Sequence, residues 1–149
     1  MNEQKTALGE KILALKKQKG LSWEQIAGHL DFSPTWVCAA CLGQMSMPPE
    51  TAAKTAELLG LNSEEAAVLE AIPYRGSLPA VPPTDPLIYR FYELLMVYGT
   101  TFKELIQEEF GDGIMSAIDF DMNLERQPDP KGDRVRITMS GKFLPYKRY

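Results

Sequence analysis

The stretch Pro83-Thr84-Asp85-Pro86-Leu87-Ile88-Tyr89-Arg90-Phe91-Tyr92-Glu93-Leu94-Leu95-Met96-Val97-Tyr98-Gly99 decides how the chain is read. Asp85-Pro86 is a helix start, an Asp cap followed by proline at the first helical position. The helix it opens has no polar face. From Leu87 to Tyr98 only Arg90 and Glu93 are charged, among three tyrosines and a phenylalanine. A helix that is apolar all round is normally buried on all sides. Arg90 and Glu93, three residues apart, project about 60° from one another on one side of it. A buried ion pair is costly, and apolar replacements often serve stability as well or better. The pair therefore calls for a purpose or for exposure.

Downstream, Thr101-Phe102-Lys103-Glu104 reads as a capping box that opens a second helix through Leu105 and Ile106 to Phe110, closed by Gly111 in a Gly-Asp-Gly turn. Ile118, Phe120, Met122 and Leu124 then alternate with Asp119, Asp121, Asn123 and Glu125, the pattern of a half-buried strand. A polar loop over 126–133 leads to Val135, Ile137 and Met139, which alternate with Arg134, Arg136 and Thr138. The prediction is a β-hairpin with one apolar face, followed by the tail Lys142-Phe143-Leu144-Pro145-Tyr146-Lys147-Arg148-Tyr149. This half is small for an independent core, and a two-stranded hairpin is marginal alone. Other copies of the chain are expected to cover the helix and extend the sheet, which puts Arg90 and Glu93 at or near a subunit interface.

Upstream, Pro73, Gly76, Pro79, Pro82 and Pro83 mark an extended connector, assigned to residues 76–85, between a region 1–75 and a C-terminal region 86–149. Region 1–75 reads as five short helices. The first carries Leu8, Ile12 and Leu15 at helical spacing and stops at Gly20. Ser22-Trp23-Glu24-Gln25 caps the second, with Ile26, Ala27 and Leu30 inward. Ser33-Pro34 opens the third, through Trp36, Val37, Ala40 and Cys41 to Gly43. Pro48-Pro49-Glu50 opens the fourth, with Ala53, Ala56 and Leu59 inward and Gly60 as its stop. Asn62-Ser63-Glu64-Glu65 caps the fifth, ending near Ile72.

The order of caps resembles the lambda-repressor-like helix-turn-helix domain, whose recognition helix would be Ser33 to Leu42. A DNA-binding regulator is thus one reading of the chain, but these residues speak against it. A recognition helix needs Arg, Asn, Gln or Lys near its start to reach base edges, and this one offers Pro34, Thr35, Trp36 and Val37. Between Leu21 and Ile72, Lys54 stands alone against Glu24, Asp31, Glu50, Glu57, Glu64, Glu65 and Glu70, an acidic surface where phosphates would have to dock. The bundle is read as a packing or assembly module without nucleic acid as partner.

The totals agree with an ordinary globular protein: 44% hydrophobic and 24% charged residues in 149 argue against wholesale disorder. The net charge of −4 disfavours a polyanionic partner but leaves room for a small anion held by a local cation. There is no secretory signal and no apolar run of membrane-spanning length, so a cytoplasmic location is expected. Cys38 and Cys41 form a C-x-x-C with no second pair, and His29 is the only histidine, so no zinc set assembles and no metal is expected. Mid-helix, the two cysteines read as small buried hydrophobes. There is no phosphate loop, no dinucleotide fingerprint and no base for a serine nucleophile. What remains is an arginine fork suited to small planar anions, its carboxylate partner Glu93, and Ser116 after the Gly-Asp-Gly turn as a source of a hydroxyl. The plain alternative is an i,i+3 ion pair on a helix surface, or one that only fixes register in an assembly.

The run "PTDPLIYRFYELLMVYGTTFKELIQEEFGDGIMSAIDF" closely resembles cyanate hydratase (cyanase), and "IPYRG" and "GKFLPY" fit the same family. The resemblance implies a mainly α fold with a small α+β C-terminal part: a lambda-repressor-like bundle that does not bind DNA, then two helices and a β-hairpin interlocked with a second subunit. It implies the bicarbonate-dependent decomposition of cyanate to ammonia and carbon dioxide through carbamate. Arg90, Glu93 and Ser116 would be the catalytic residues. It further implies cyanate and bicarbonate as partners, with bicarbonate as co-substrate and no other cofactor, and a decamer built from dimers whose active sites are shared between subunits.

Overall fold

Residues 2–76 and 81–149 are described by the computed structural model. Part of the connector expected over 76–85, residues 77–80, lies outside them. The chain divides into two compact units, Met1–Ser77 and Leu78–Tyr149.

The first unit holds α1 (Asn2–Gln18), α2 (Trp23–Leu30), α3 (Pro34–Cys41), α4 (Pro49–Leu59) and α5 (Ser63–Glu70). Local chemistry sets their ends. The Ser22 and Asn62 side chains each accept from the third helical amide, while Gln25 and Glu65 reach back to the cap amides, completing two capping boxes. Ser33 caps α3 through Trp36 N, with Pro34 at the first position. Gly60 ends α4 in the left-handed conformation, at φ 75°.

The core is continuous across all five helices: Leu8, Ile12, Ile26, Ala27, Leu30, Val37, Ala40, Cys41, Met47, Ala52, Leu59 and Leu69. On α4 the inward face differs from expectation. Ala53 is exposed, and Thr51, Ala52, Thr55, Ala56 and Leu59 point in. Thr55 can be buried because its hydroxyl donates to the Thr51 carbonyl at 2.8 Å. His29 is exposed.

The second unit has one helix where two were expected. α6 runs unbroken from Pro86 to Phe110, straight through Gly99 and the Thr101 box. A glycine in a helix interior costs only about 1 kcal/mol, and the good helix formers Leu94, Leu95 and Met96 before it and Lys103, Glu104 and Leu105 after it carry the helix across. Asp85 caps the helix as expected, its carboxylate accepting from Leu87 N and Ile88 N at 2.9 Å each.

β1 (Gly113–Gln127) and β2 (Arg134–Pro145) form an antiparallel hairpin. Lys142, Phe143, Leu144 and Pro145, assigned to the tail, belong to β2, because Phe143, Leu144 and Pro145 pair with Met115, Ile114 and Gly113. The apolar face is Phe120, Met122 and Leu124 against Gly141, Met139 and Ile137. Ile118 lies in an irregular stretch outside it.

No residue of α6 is buried within the single chain. The helix packs along neither strand, and it meets β2 at its end, where Phe110 stacks on Phe143 with ring centroids 5.2 Å apart. Phe91, Leu95, Met96, Val97 and Tyr98 are all exposed, as are Met122, Leu124, Val135 and Met139 on the hairpin.

Two measurements check this division of labour. Ile26 is fully buried, so Ile26→Ala should lower the bundle's unfolding free energy in urea by about 2–5 kcal/mol. Burial pushes the Cys41 thiol from its ordinary 9.0 up to about 12, with Cys38 nearby adding to the rise. The fold thus holds a protonated thiol that the unfolded chain would ionise. Its stabilising share is intact below about pH 9 and is lost as the pH climbs toward 12. Cys41→Ala should lose less stability than the parent chain over that interval in alkaline urea titrations.

Candidate active site

The cap at Asp85 fixes where α6 begins, and so places Arg90 on its second turn and Glu93 one turn further on. Arg90 Nη1 lies 3.3 Å from Glu93 Oε2. Arg90 Nε donates back to the Pro86 carbonyl at 3.2 Å, and the guanidinium carbon stands 5.3 Å from the centre of the Tyr89 ring. The fork is thus tied on one edge to its own helix and on another to the carboxylate. Its Nη2 side has no partner among the described residues, and is free for a two-point contact with an anion. Within the single chain the two side chains are 63% and 45% exposed.

Ser116 is built differently. It is 6% exposed and sits where the hairpin's register jumps. Met115 pairs with Phe143 and Phe120 with Gly141, so Ser116, Ala117, Ile118 and Asp119 on β1 stand against Lys142 alone on β2. This is an enlarged bulge, a device that re-aims side chains at the cost of local pairing. Ile118 at its tip is 97% exposed.

Beneath the tip, Ser116 Oγ accepts from Ile118 N at 3.1 Å and from Asp119 N at 3.0 Å. A hydroxyl has two lone pairs and one proton. With both lone pairs engaged, the proton is what Ser116 has left to offer, and the described residues give it no acceptor. Accepting two amide protons also polarises the O–H as a donor. The hydroxyl is set to bond an anion and is poorly set to attack a carbon.

The structure brings Arg90 and Glu93 together and leaves Ser116 apart from both within one chain. About twenty residues of α6, roughly 30 Å, separate Arg90 from the helix end near which β1 begins. Among the described residues no group of His, Cys, Asp and Glu side chains could hold a metal ion. Cys38 is half-buried and Cys41 buried, and burial raises both thiols, the opposite of what a reactive pair needs. Gly113, placed in the Gly-Asp-Gly turn by the sequence, opens β1 instead, and the close approach at Gly141 carried no role in the sequence analysis. A lone glycine inside a strand pattern is the available signal for such a close approach.

Two family models cover the chain: "Cyanate hydratase, N-terminal" matches residues 5–73 and "Cyanate lyase C-terminal domain" matches residues 80–148. The cyanate hydratase of Methylibium petroleiphilum is 63% identical over 140 residues, 94% of this chain and 95% of that protein. That of Ralstonia pickettii is 60% identical over 146 residues, 98% of this chain and 99% of that one. The crystal structure of cyanase from T. urticae is similar with a TM-score of 0.81 at 38% identity, covering 93% of this chain and 96% of that one.

Proposed function

The chain belongs to the cyanate hydratase family, and we propose that it performs this family's reaction through Arg90, Glu93 and Ser116, assembled from more than one copy of the chain. The activity is that of a cyanate hydratase, a lyase, and in this reading bicarbonate is its co-substrate. The observation that carries the residue assignment is the Ser116 hydroxyl, with both lone pairs held by backbone amides and its proton free.

Cyanate and bicarbonate are both anions and repel each other in water. A site with an arginine fork and a polarised hydroxyl holds them together, turning an unfavourable encounter into a positioned reaction. A bicarbonate oxygen forms a bond to the cyanate carbon, and the cyanate nitrogen takes up a proton. The bond between that oxygen and the original bicarbonate carbon then breaks, releasing carbon dioxide. With a second proton, one from bicarbonate and one from solvent, the remainder is carbamate. Carbamate takes a further proton and falls apart to ammonia and a second carbon dioxide. Arg90 binds the anions and stabilises the charge that builds on oxygen. Glu93 orients the fork and relays protons, and Ser116 donates to a substrate oxygen or nitrogen. No metal or organic cofactor is called for.

The exposed apolar length of α6 and the apolar hairpin face support an assembly in which other copies cover them. The long separation of Arg90 from the Ser116 bulge in one chain supports sites shared between copies. The assembly is taken to be a decamer of interlocked dimers, in the cytoplasm.

Ammonia release from cyanate should require bicarbonate, and purified protein that releases none with both substrates present would remove this reading. Arg90→Leu should cost at least about a hundredfold in turnover while the assembly persists in sedimentation. Broken assembly with no direct effect on the chemistry would mark the pair as a register device instead.

A further inference from the structure

Ser116 stands close to a neighbour with no chemistry of its own. Gly141 lies on β2 beside the bulge, paired with Phe120. A β-carbon at 141 would sit well inside contact distance of the Ser116 carbonyl oxygen, 2.6 Å from Met115 Cγ and 3.4 Å from Met115 Sδ. The methionine can swing aside, but the Ser116 carbonyl is backbone and cannot move without moving residue 116. Gly99 and Gly132 offer the contrast, since a β-carbon at either meets nothing within 4 Å. Glycine inside a strand weakens it, and at 141 the compensation is the close approach of β1.

We propose that Gly141 is a positioning residue for the cyanate reaction: its missing side chain lets the Ser116 backbone close over β2, and that closure sets where the Ser116 hydroxyl stands. The coupling runs through bonds already described. Oγ is pinned to the amides of Ile118 and Asp119, which belong to the same bulge, so displacing the Ser116 carbonyl shifts the hydroxyl and its two donors together. A misplacement on the order of 1 Å can cost about a hundredfold in turnover. The proposal rests on Ser116 being part of the site.

The test uses the full-length assembled enzyme and four chains: parent, Gly141→Ala, Ser116→Ala and the double variant. Turnover and KM for cyanate and bicarbonate are measured, with assembly followed by sedimentation. Gly141→Ala should assemble as the parent does and lose at least about tenfold in kcat, with both KM values within about twofold. The double variant should be no slower than Ser116→Ala alone, because a hydroxyl that is absent cannot be misplaced. Multiplied losses in the double variant would show that Gly141 acts elsewhere and overturn the proposal. So would full turnover in Gly141→Ala beside an inactive Ser116→Ala. Full turnover in Ser116→Ala would instead remove Ser116 from the site, and the proposal with it.

Should Gly141→Ala fail to assemble, Met115→Ala/Gly141→Ala removes the side-chain part of the clash and is measured the same way. Assembly of that chain with the same tenfold loss supports the proposal. Recovery of full turnover assigns the effect to Met115 and overturns it, and failure of this chain too makes Gly141 a folding residue and overturns it as well.

Discussion

The second unit depends on apolar surface that its own chain does not cover. α6 presents aromatic and aliphatic side chains around its circumference and is opposed within its unit by a two-stranded hairpin that does not pack along it. Burial of a large apolar side chain stabilises by about 1.5–3 kcal/mol, so a helix with this many left in water lacks most of its own driving force. The first unit is the opposite case. Its five helices close a core from one chain, with caps and glycine stops at nearly every boundary. One half of the molecule is stabilised from within, and the other calls for partners.

That contrast explains where the sequence could be read. Ser22, Ser33, Asn62 and Asp85 announce helix starts because capping is a matter of three or four adjacent residues. Features that depend on distant residues were harder to see. The Thr101 box looks like a helix start, yet inside α6 the backbone continues and the signal is overridden. Ala53 and Ala52 are equivalent to a periodicity argument, and the packing of α1, α2 and α5 on α4 decides between them. Phe143 and Leu144 join the sheet only because Met115 and Ile114 stand opposite.

The candidate site divides in the same way. Arg90 and Glu93 were legible as charges on a helix that offers no polar face, and the ion pair is there at 3.3 Å. Ser116 could be named as a hydroxyl near a turn, and the family resemblance gave it weight. Its donor polarity could not be read from its neighbours, because it follows from a register jump between two strands separated by a loop. No local pattern records how four residues on one strand come to face one on the other.

The order of the two units, a closed bundle ahead of one bare apolar helix, also has a meaning for how the protein is made. Chains emerge from the ribosome N-terminal end first, and domains fold as units as they emerge. The bundle carries a self-sufficient core, so it can be folded before α6 appears. When α6 follows, it is attached to a unit whose core is already closed. Its apolar length then enters solvent beside a unit whose own apolar side chains are already packed, not beside a second open core with which it could mispair.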